Sequence, residues 1–324
     1  MRPAIVESNS PQTATAREPR IAVTIPCYNE AITIEKVIAD FRAALPTADI
    51  YVYDNNSSDN TAQIARDAGA IVRTETRQGK GHVVRRIFSD VEADIYIMAD
   101  GDDTYDASLS PMLVELLQKN HVDMVVGTRA DVTKDAGREG HAFGNKIFNK
   151  LYNTMFGDQF SDIFSGYRIF TRRFVKSFPA VSAGFEIETE MSVHCSQLGI
   201  STLERPTPYG VRPEDSHSKL KTFSDGFRIL GMFGMLAKET RPAAFFGLIG
   251  LGLALLAALL ATPLAITYAQ TGLVPRLPTA ILSMGLVMTG SITAVCGLIL
   301  DSLARARIEA KRSVFLSYKA QPWR

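Results

Sequence analysis

The sequence predicts an α/β domain, built on a mainly parallel sheet with helices on both faces, followed by an interfacial helix and two transmembrane helices. Three observations carry this. Short β-rich runs alternate with helix-like runs over residues 20–220, polar clusters fall where the strands end, and two long uncharged apolar runs follow. The 324 residues, with 35 Lys+Arg against 34 Asp+Glu and 46% hydrophobic content, suffice for one large domain or two ordinary ones. A formal charge of +1 argues against a nucleic-acid-coating protein, so no nucleic acid partner is expected. Cys27, Cys195 and Cys296 are odd in number and far apart, which fits neither a disulfide framework nor a zinc site and points to a reducing compartment.

Residues 1–19 are polar and lack an apolar run, so they read as a disordered tail without a signal peptide. Within 20–221, apolar runs predict strands over 21–25, 50–53, 71–73, 95–99 and 124–126. Helical spacing predicts helices over 30–45, 59–68, 81–90 and 108–119. In such a sheet, ligands sit at the carboxyl ends of the strands. The clusters Pro26-Cys27-Tyr28-Asn29-Glu30, Asp54-Asn55-Asn56-Ser57-Ser58-Asp59 and Asp100-Gly101-Asp102-Asp103 fall there.

The third cluster carries the most chemistry. A D-x-D at a strand end places the Asp100 and Asp102 carboxylates around one hard cation, which Mg2+ or Mn2+ would complete with substrate phosphate oxygens. The same turn also reads as an acidic cap on the next helix, through Asp106 or Ser108. In the second cluster, Ser58 or Asp59 suits a helix cap, while Asp54 at the strand end suits an acceptor for a base or ribose. Arg77-Gln78-Gly79-Lys80-Gly81 is a glycine loop before a helix, bringing backbone N–H groups and Lys80 toward an anion. Glu186 and Glu190 stand i,i+4 on a predicted helix and read either as a base for a hydroxyl acceptor or as a solvated helix start.

Residues 222–241 carry Phe223, Phe227, Leu230, Phe233 and Met235 or Leu236 at helical spacing, the pattern of an interfacial amphipathic helix, with an ordinary amphipathic helix packed on the soluble domain as the alternative. Residues 242–300 form a two-helix hairpin, uncharged over 242–268 and 277–300, each run exceeding the roughly 20 residues that cross a bilayer. Lys238 and Arg241 on one flank and Arg305, Arg307, Lys311 and Arg312 on the other place both flanks in the cytoplasm, with 301–324 as a basic tail. Gly247, Gly250, Gly252, Gly285, Gly290 and Ser291 suit close helix packing within a chain or between copies, so a homo-oligomer is open.

Taken in order, IPCYNEA at 25–31, YDNNSSDNT at 53–61, RQGKG at 77–81, MADGDD at 98–103, VGTR at 126–129, DIFSGYRIF at 162–170 and RPEDSHSKL at 212–220 resemble a family 2 glycosyltransferase of the Rossmann-like GT-A fold. The resemblance is closer to the polyprenyl-phosphate branch, the dolichyl-phosphate mannose or glucose synthases, and covers about residues 20–240. It implies that Pro26, Tyr28, Glu30, Val52 and Asp54 line the nucleotide pocket, with Lys80 and Gly101 beside the donor. Asp100 and Asp102 would serve the sugar nucleotide and metal, and Arg129, Arg212 and Lys219 the diphosphate or the acceptor phosphate. Ser165, Tyr167, Arg168 and Ser218 would belong to the acceptor side. The chain departs from the family pattern at Asn55, where a second aspartate is usual, at Thr104, and in an Arg212-to-Lys219 spacing one residue longer.

The implied activity is inverting transfer of one sugar from a nucleotide-sugar to a polyprenyl monophosphate at the cytoplasmic membrane face, with Mg2+ or Mn2+ as cofactor. RQGKG before an apolar helix favours a UDP-sugar of the glucose type over GDP-mannose. A hydroxyl-directed or processive transferase is the alternative, although Gln321-Pro322-Trp323-Arg324 has the wrong order for the processive Q-x-x-R-W segment. A non-catalytic membrane scaffold is a third reading, opposed by the intact Asp100, Asp102, Arg129 and Lys219.

Overall fold

The computed structural model describes residues 18–130, 149–150, 152–210, 231, 234 and 238–320. The chain enters at β1 (Ile21–Cys27) and alternates through α1 (Ile34–Ala44), β2 (Asp49–Asp54), α2 (Thr61–Asp67), β3 (Ile71–Thr74), α3 (Lys80–Asp90) and β4 (Ile95–Met98). It continues through α4 (Ser110–Lys119), β5 (Met124–Ala130), β6 (Arg168–Thr171), α5 (Arg172–Ser177), α6 (Ile187–Leu198) and β7 (Thr202–Pro208). The strands form one sheet in the order β3-β2-β1-β4-β6-β5-β7. Every pairing is parallel except the two that β6 makes, with β4 and β5.

Alternation along the strands builds two cores, one on each face. Tyr51, Tyr53, Tyr96 and Met98 point to the face covered by α3, α5 and α6. Ile50, Val52, Ile95 and Ile97 point to the face covered by α1, α2 and α4. A period of two is what lets one strand serve both layers. The five predicted strands and four predicted helices are present with small shifts at their ends. The sequence reading lacks β6 and β7.

Two further helices follow, α7 (Pro242–Thr271) and α8 (Leu277–Ser317). With mean hydropathies of 2.5 and 1.8 over their most apolar windows, both are long and apolar enough to cross a membrane. They pack on each other, and only 11% and 17% of those windows are buried, so these apolar stretches are not core segments of the α/β domain. Gly272 ends α7 in the left-handed conformation at φ 68°, open to glycine without strain.

The boundary expected at residue 301 is not a structural one. α8 runs on to Ser317 instead of releasing a tail, because its last turns find an apolar partner. Phe315 is buried in the core that contains Phe174, Val175, Phe178 and Leu198, with Ile308 packed at its edge. Arg173 lies with its guanidinium 4.4 Å from the Phe315 ring centroid, and Arg312 Nη2 donates to the Leu198 carbonyl at 3.2 Å. Of the expected interfacial helix, 222–230 and most of 231–237 lie outside the described residues.

Candidate active site

The carboxyl ends of β1, β2 and β4 adjoin, and the turn after each contains a non-glycine residue in the left-handed region: Asn29 at φ 53°, Asn56 at φ 61° and Asp103 at φ 60°. Asn and Asp tolerate this conformation better than other side chains, which accounts for the polar composition of all three turns. The turns are tied together. Asn29 N–H donates to Ser57 Oγ at 2.9 Å, Glu30 N–H to Thr61 Oγ1 at 2.8 Å, and Thr33 Oγ1 to the Gly101 carbonyl at 2.6 Å. Asn55 takes its place in this lattice: its amide donates to the carbonyls of Glu75 and Arg77, and its Oδ1 accepts the Gly79 N–H at 2.7 Å. It thereby fixes the glycine loop ahead of α3.

That loop is clamped from the other side. A Cβ on Gly79 would lie 2.3 Å from the Ala183 carbonyl oxygen, and one on Gly81 2.1 Å from that of Ser182. Only glycine allows this approach. Lys80, between them, reaches inward to Asp100 and to Glu188, with Nζ 2.5 Å from Glu188 Oε1. Burial works against the Lys80 ammonium, but the two carboxylates outweigh it and hold it above the ordinary lysine value. Asp100 keeps 28% of its side-chain exposure, against 8% for Lys80 and 4% for Glu188, so Asp100 is the member that opens to the cleft. Asp102, two residues on, is buried and accepts from the Thr104 hydroxyl at 2.6 Å.

Among the described residues no three His, Cys, Asp or Glu side chains form a metal-binding group. Two carboxylates on one turn instead suit a hard divalent ion that draws its other ligands from phosphate oxygens. The Lys80 ammonium lies against Asp100, so a metal there would share this carboxylate with Lys80.

Residues 22–178 match the model of Glycosyl transferase family 2. RfbJ of Shigella flexneri is 60% identical over 122 residues, 37% of this chain and 95% of RfbJ. Glycosyltransferase AglJ of Haloferax volcanii is 35% identical over 232 residues, 71% of this chain and 76% of AglJ. The chain belongs to glycosyltransferase family 2. A solved structure of glucosyl-3-phosphoglycerate synthase from Mycobacterium tuberculosis, in complex with Mn2+, UDP-glucose and phosphoglyceric acid, has the same fold. It aligns with a TM-score of 0.56 at 22% identity, covering 68% of this chain and 79% of its own. As a member of the family, the protein is an enzyme that transfers a sugar from a nucleotide-sugar.

The site residues expected from sequence sort into three groups on this transferase fold. Pro26, Tyr28, Glu30, Asp54, Lys80, Asp100, Gly101 and Asp102 gather at the strand ends, with Tyr28 exposed and Asp54 accepting the Ser57 N–H. Arg212, Ser218 and Lys219 lie outside the described residues.

The remainder need correction as direct ligands. Val52 is wholly buried in the sheet core, because its position in β2 turns it away from the cleft. Ser165, Tyr167 and Arg168 are also wholly buried. Ser165 Oγ donates to the Gly127 carbonyl, Tyr167 OH shares a 2.7 Å hydrogen bond with Ser110 Oγ, and Arg168 donates to the carbonyls of Ser165 and Ile163. These side chains shape the wall from behind and cannot touch a phosphate in this arrangement. Arg129 is bound by Asp162 through Nε and Nη2, so its charge is matched within the protein.

Glu186 and Glu190 are spent on backbone: Glu186 accepts the Gly184 N–H, and Glu190 the N–H groups of Val181 and Ser182. The glutamate that sequence reasoning missed is Glu188, between them. Its signal was its spacing to Met191, Ser192 and Cys195, all buried on one helix face.

Proposed function

We propose that this transferase moves one sugar, with inversion, from a UDP-sugar of the glucose type to a polyprenyl monophosphate at the cytoplasmic face of a membrane. One observation carries the lipid acceptor: Phe315, in the same helix as an apolar run long enough to span a bilayer, is part of the core of the catalytic domain. Docking of the catalytic domain against such a hairpin supports a lipid acceptor. The polyprenyl-type motifs at 162–170 and 212–220 support the same reading. The excess of Lys and Arg flanking the hairpin supports the cytoplasmic orientation.

In this reading the acceptor phosphate oxygen attacks the anomeric carbon, forming one C–O bond as the bond to the nucleoside diphosphate breaks on the opposite face. A phosphate monoester with a second pKa near 6 is about nine-tenths dianionic at pH 7, so no strong general base is required. That agrees with Glu186 and Glu190 being held by backbone amides. The strand-end turns would hold the nucleotide, and Asp100 and Asp102 would hold Mg2+ or Mn2+, which would supply charge neutralisation for the leaving diphosphate. Arg212 and Lys219 orient the acceptor phosphate.

The test incubates detergent-solubilised protein with Mg2+ or Mn2+, undecaprenyl phosphate and a panel of UDP- and GDP-sugars, with mass spectrometry of the lipid. One hexose added to the lipid phosphate from a UDP-sugar is expected, and Asp102→Asn should abolish it. Transfer from GDP-mannose alone would replace the donor assignment. Transfer only to a sugar hydroxyl would overturn the acceptor.

A further inference from the structure

Three charged groups meet at the base of the cleft, and one of them has no evident task in the transfer. Glu188 is 3% exposed, and its Oε2 has no hydrogen-bond partner among the described residues. Its Oε1 lies 2.5 Å from Lys80 Nζ, which also pairs with Asp100. A buried carboxylate with a spare oxygen is costly unless it serves something.

The surroundings restrict what can move. The Lys80 backbone is pinned by the close approach of Gly79 and Gly81 to the carbonyls of residues 182–183, and by the 3.0 Å bond from Gly81 N–H to the Ala183 carbonyl. The loop that pins it is held in turn by Arg85, whose guanidinium donates to the carbonyls of Ala180, Val181 and Ser182. Gly166 closes the other side, since a Cβ there would lie 2.8 Å from Asp100 Oδ2 and 3.2 Å from Lys80 Nζ. Asp100, the most exposed of the three, is therefore the group able to turn toward a cation in the cleft.

We infer that Glu188 is a positioning residue that keeps Lys80 paired when Asp100 turns to a divalent cation bound with the donor diphosphate. This rests on the proposed reading of the strand-end turns as a metal–nucleotide site. Without Glu188, releasing Asp100 would strand a buried ammonium, and Lys80 would compete with the metal for the Asp100 carboxylate. With Glu188 present, the ammonium slides from a shared to a single partner and stays charge-matched. The spare Oε2 provides the second acceptor that the ammonium then needs. Glu188 thus acts on metal affinity through Lys80, without touching donor or acceptor.

The experiment measures Mn2+ binding to the full-length, detergent-solubilised protein in the presence of UDP, by electron paramagnetic resonance of the free ion. UDP binding without metal is measured in parallel. Glu188→Gln should weaken Mn2+ by roughly 10–100-fold, the usual effect of removing a group that supports a metal ligand, while UDP binding without metal changes little. Glu188→Asp, which keeps the charge but withdraws it by one methylene, should fall between. Glu186→Gln should leave Mn2+ affinity unchanged. In a Lys80→Met background, Glu188→Gln should cause no further loss, because there is no ammonium left to hold. Near-UV circular dichroism establishes which variants are folded, and Glu188→Asp carries the test if Glu188→Gln is not. Wild-type Mn2+ affinity in a folded Glu188 variant, or equal loss with and without Lys80, would overturn the inference alone. Absence of Mn2+ binding by the wild type with UDP would overturn the metal–nucleotide reading and the inference with it.

Discussion

Arg129 and Asp162 meet as a fork, Nε to Oδ2 at 2.8 Å and Nη2 to Oδ1 at 2.7 Å, in the wall beside the acidic turn. The pair joins the end of β5 to the segment leading into β6, and Arg129 also lies over the Tyr209 ring. Burial pushes the Asp162 carboxyl up, but the Arg129 guanidinium outweighs it and holds the group below the usual carboxylate range. The pair's contribution is fully present above the unfolded aspartate value of about 3.9 and is lost as pH falls through the folded value. Asp162→Asn should cost about 3–5 kcal/mol by leaving the guanidinium unmatched, and should flatten the acid limb of a stability profile. Thermal unfolding of both proteins between neutral and acid pH checks this.

Gly166 and Gly81 predict opposite outcomes for the same substitution. A Cβ on Gly166 meets the movable end of the Asp100 side chain at 2.8 Å, whereas one on Gly81 meets the Ser182 backbone carbonyl at 2.1 Å. Gly166→Ala should therefore fold, displace Asp100 and lower transfer by about tenfold or more, since a misplacement of about 1 Å can cost about a hundredfold. Gly81→Ala should fail to fold or melt far lower, since a loop backbone anchored by Arg85 cannot yield. Melting temperature and transfer rate, measured on both, separate the two.

Phe315 makes α8 part of the catalytic domain. Truncating it removes an aromatic ring from among Phe174, Val175, Phe178 and Leu198 and takes away the surface on which Arg173 rests. Phe315→Ala should destabilise the domain by about 3 kcal/mol, the low end for a buried phenylalanine. Val314→Ala, one residue earlier and 46% exposed, should be close to neutral. Denaturant unfolding followed by near-UV circular dichroism compares them. Equal effects would mean that the Phe315 ring does not hold α8 to the catalytic core.

The half of the fold that holds the candidate donor site was legible because its signals are local. Strands β1, β2 and β4 are short, mostly apolar runs, and each is followed by a polar turn whose Asn or Asp takes the left-handed conformation. β6 escaped because it begins with Arg168, a charged residue that tertiary packing buries wholly against backbone carbonyls. β7, TLERPTP, carries Glu204, Arg205 and two prolines, the composition of an edge strand that pairs on one side only. The arginine fork was hidden for another reason: Arg129 and Asp162 are brought together only by the β5–β6 pairing, so no spacing announces them. Glu188 was obscured by its neighbours. Three glutamates alternate at the start of α6, and attention falls on the i,i+4 pair that faces outward, although the middle one points in.

Within the apolar hairpin, Gly250 and Gly290 let the two backbones touch. A Cβ on Gly250 would lie 2.7 Å from the Gly290 carbonyl oxygen, and one on Gly290 2.9 Å from that of Gly250. Such contact is the main source of helix–helix attraction where no water drives association. Gly285, on the same helix, has nothing within 4 Å of its would-be Cβ. Gly290→Leu should therefore separate α7 from α8 and lower the melting temperature in detergent, while Gly285→Leu should leave it unchanged. Because α8 also ends in the catalytic core, the separation should reach the enzyme: transfer to a lipid acceptor should fall further than UDP binding in the Gly290 variant. If Gly285→Leu proves equally damaging, its open face is covered by a second copy of the chain in detergent, and size-exclusion chromatography with light scattering would then show the variant to be smaller than the wild type.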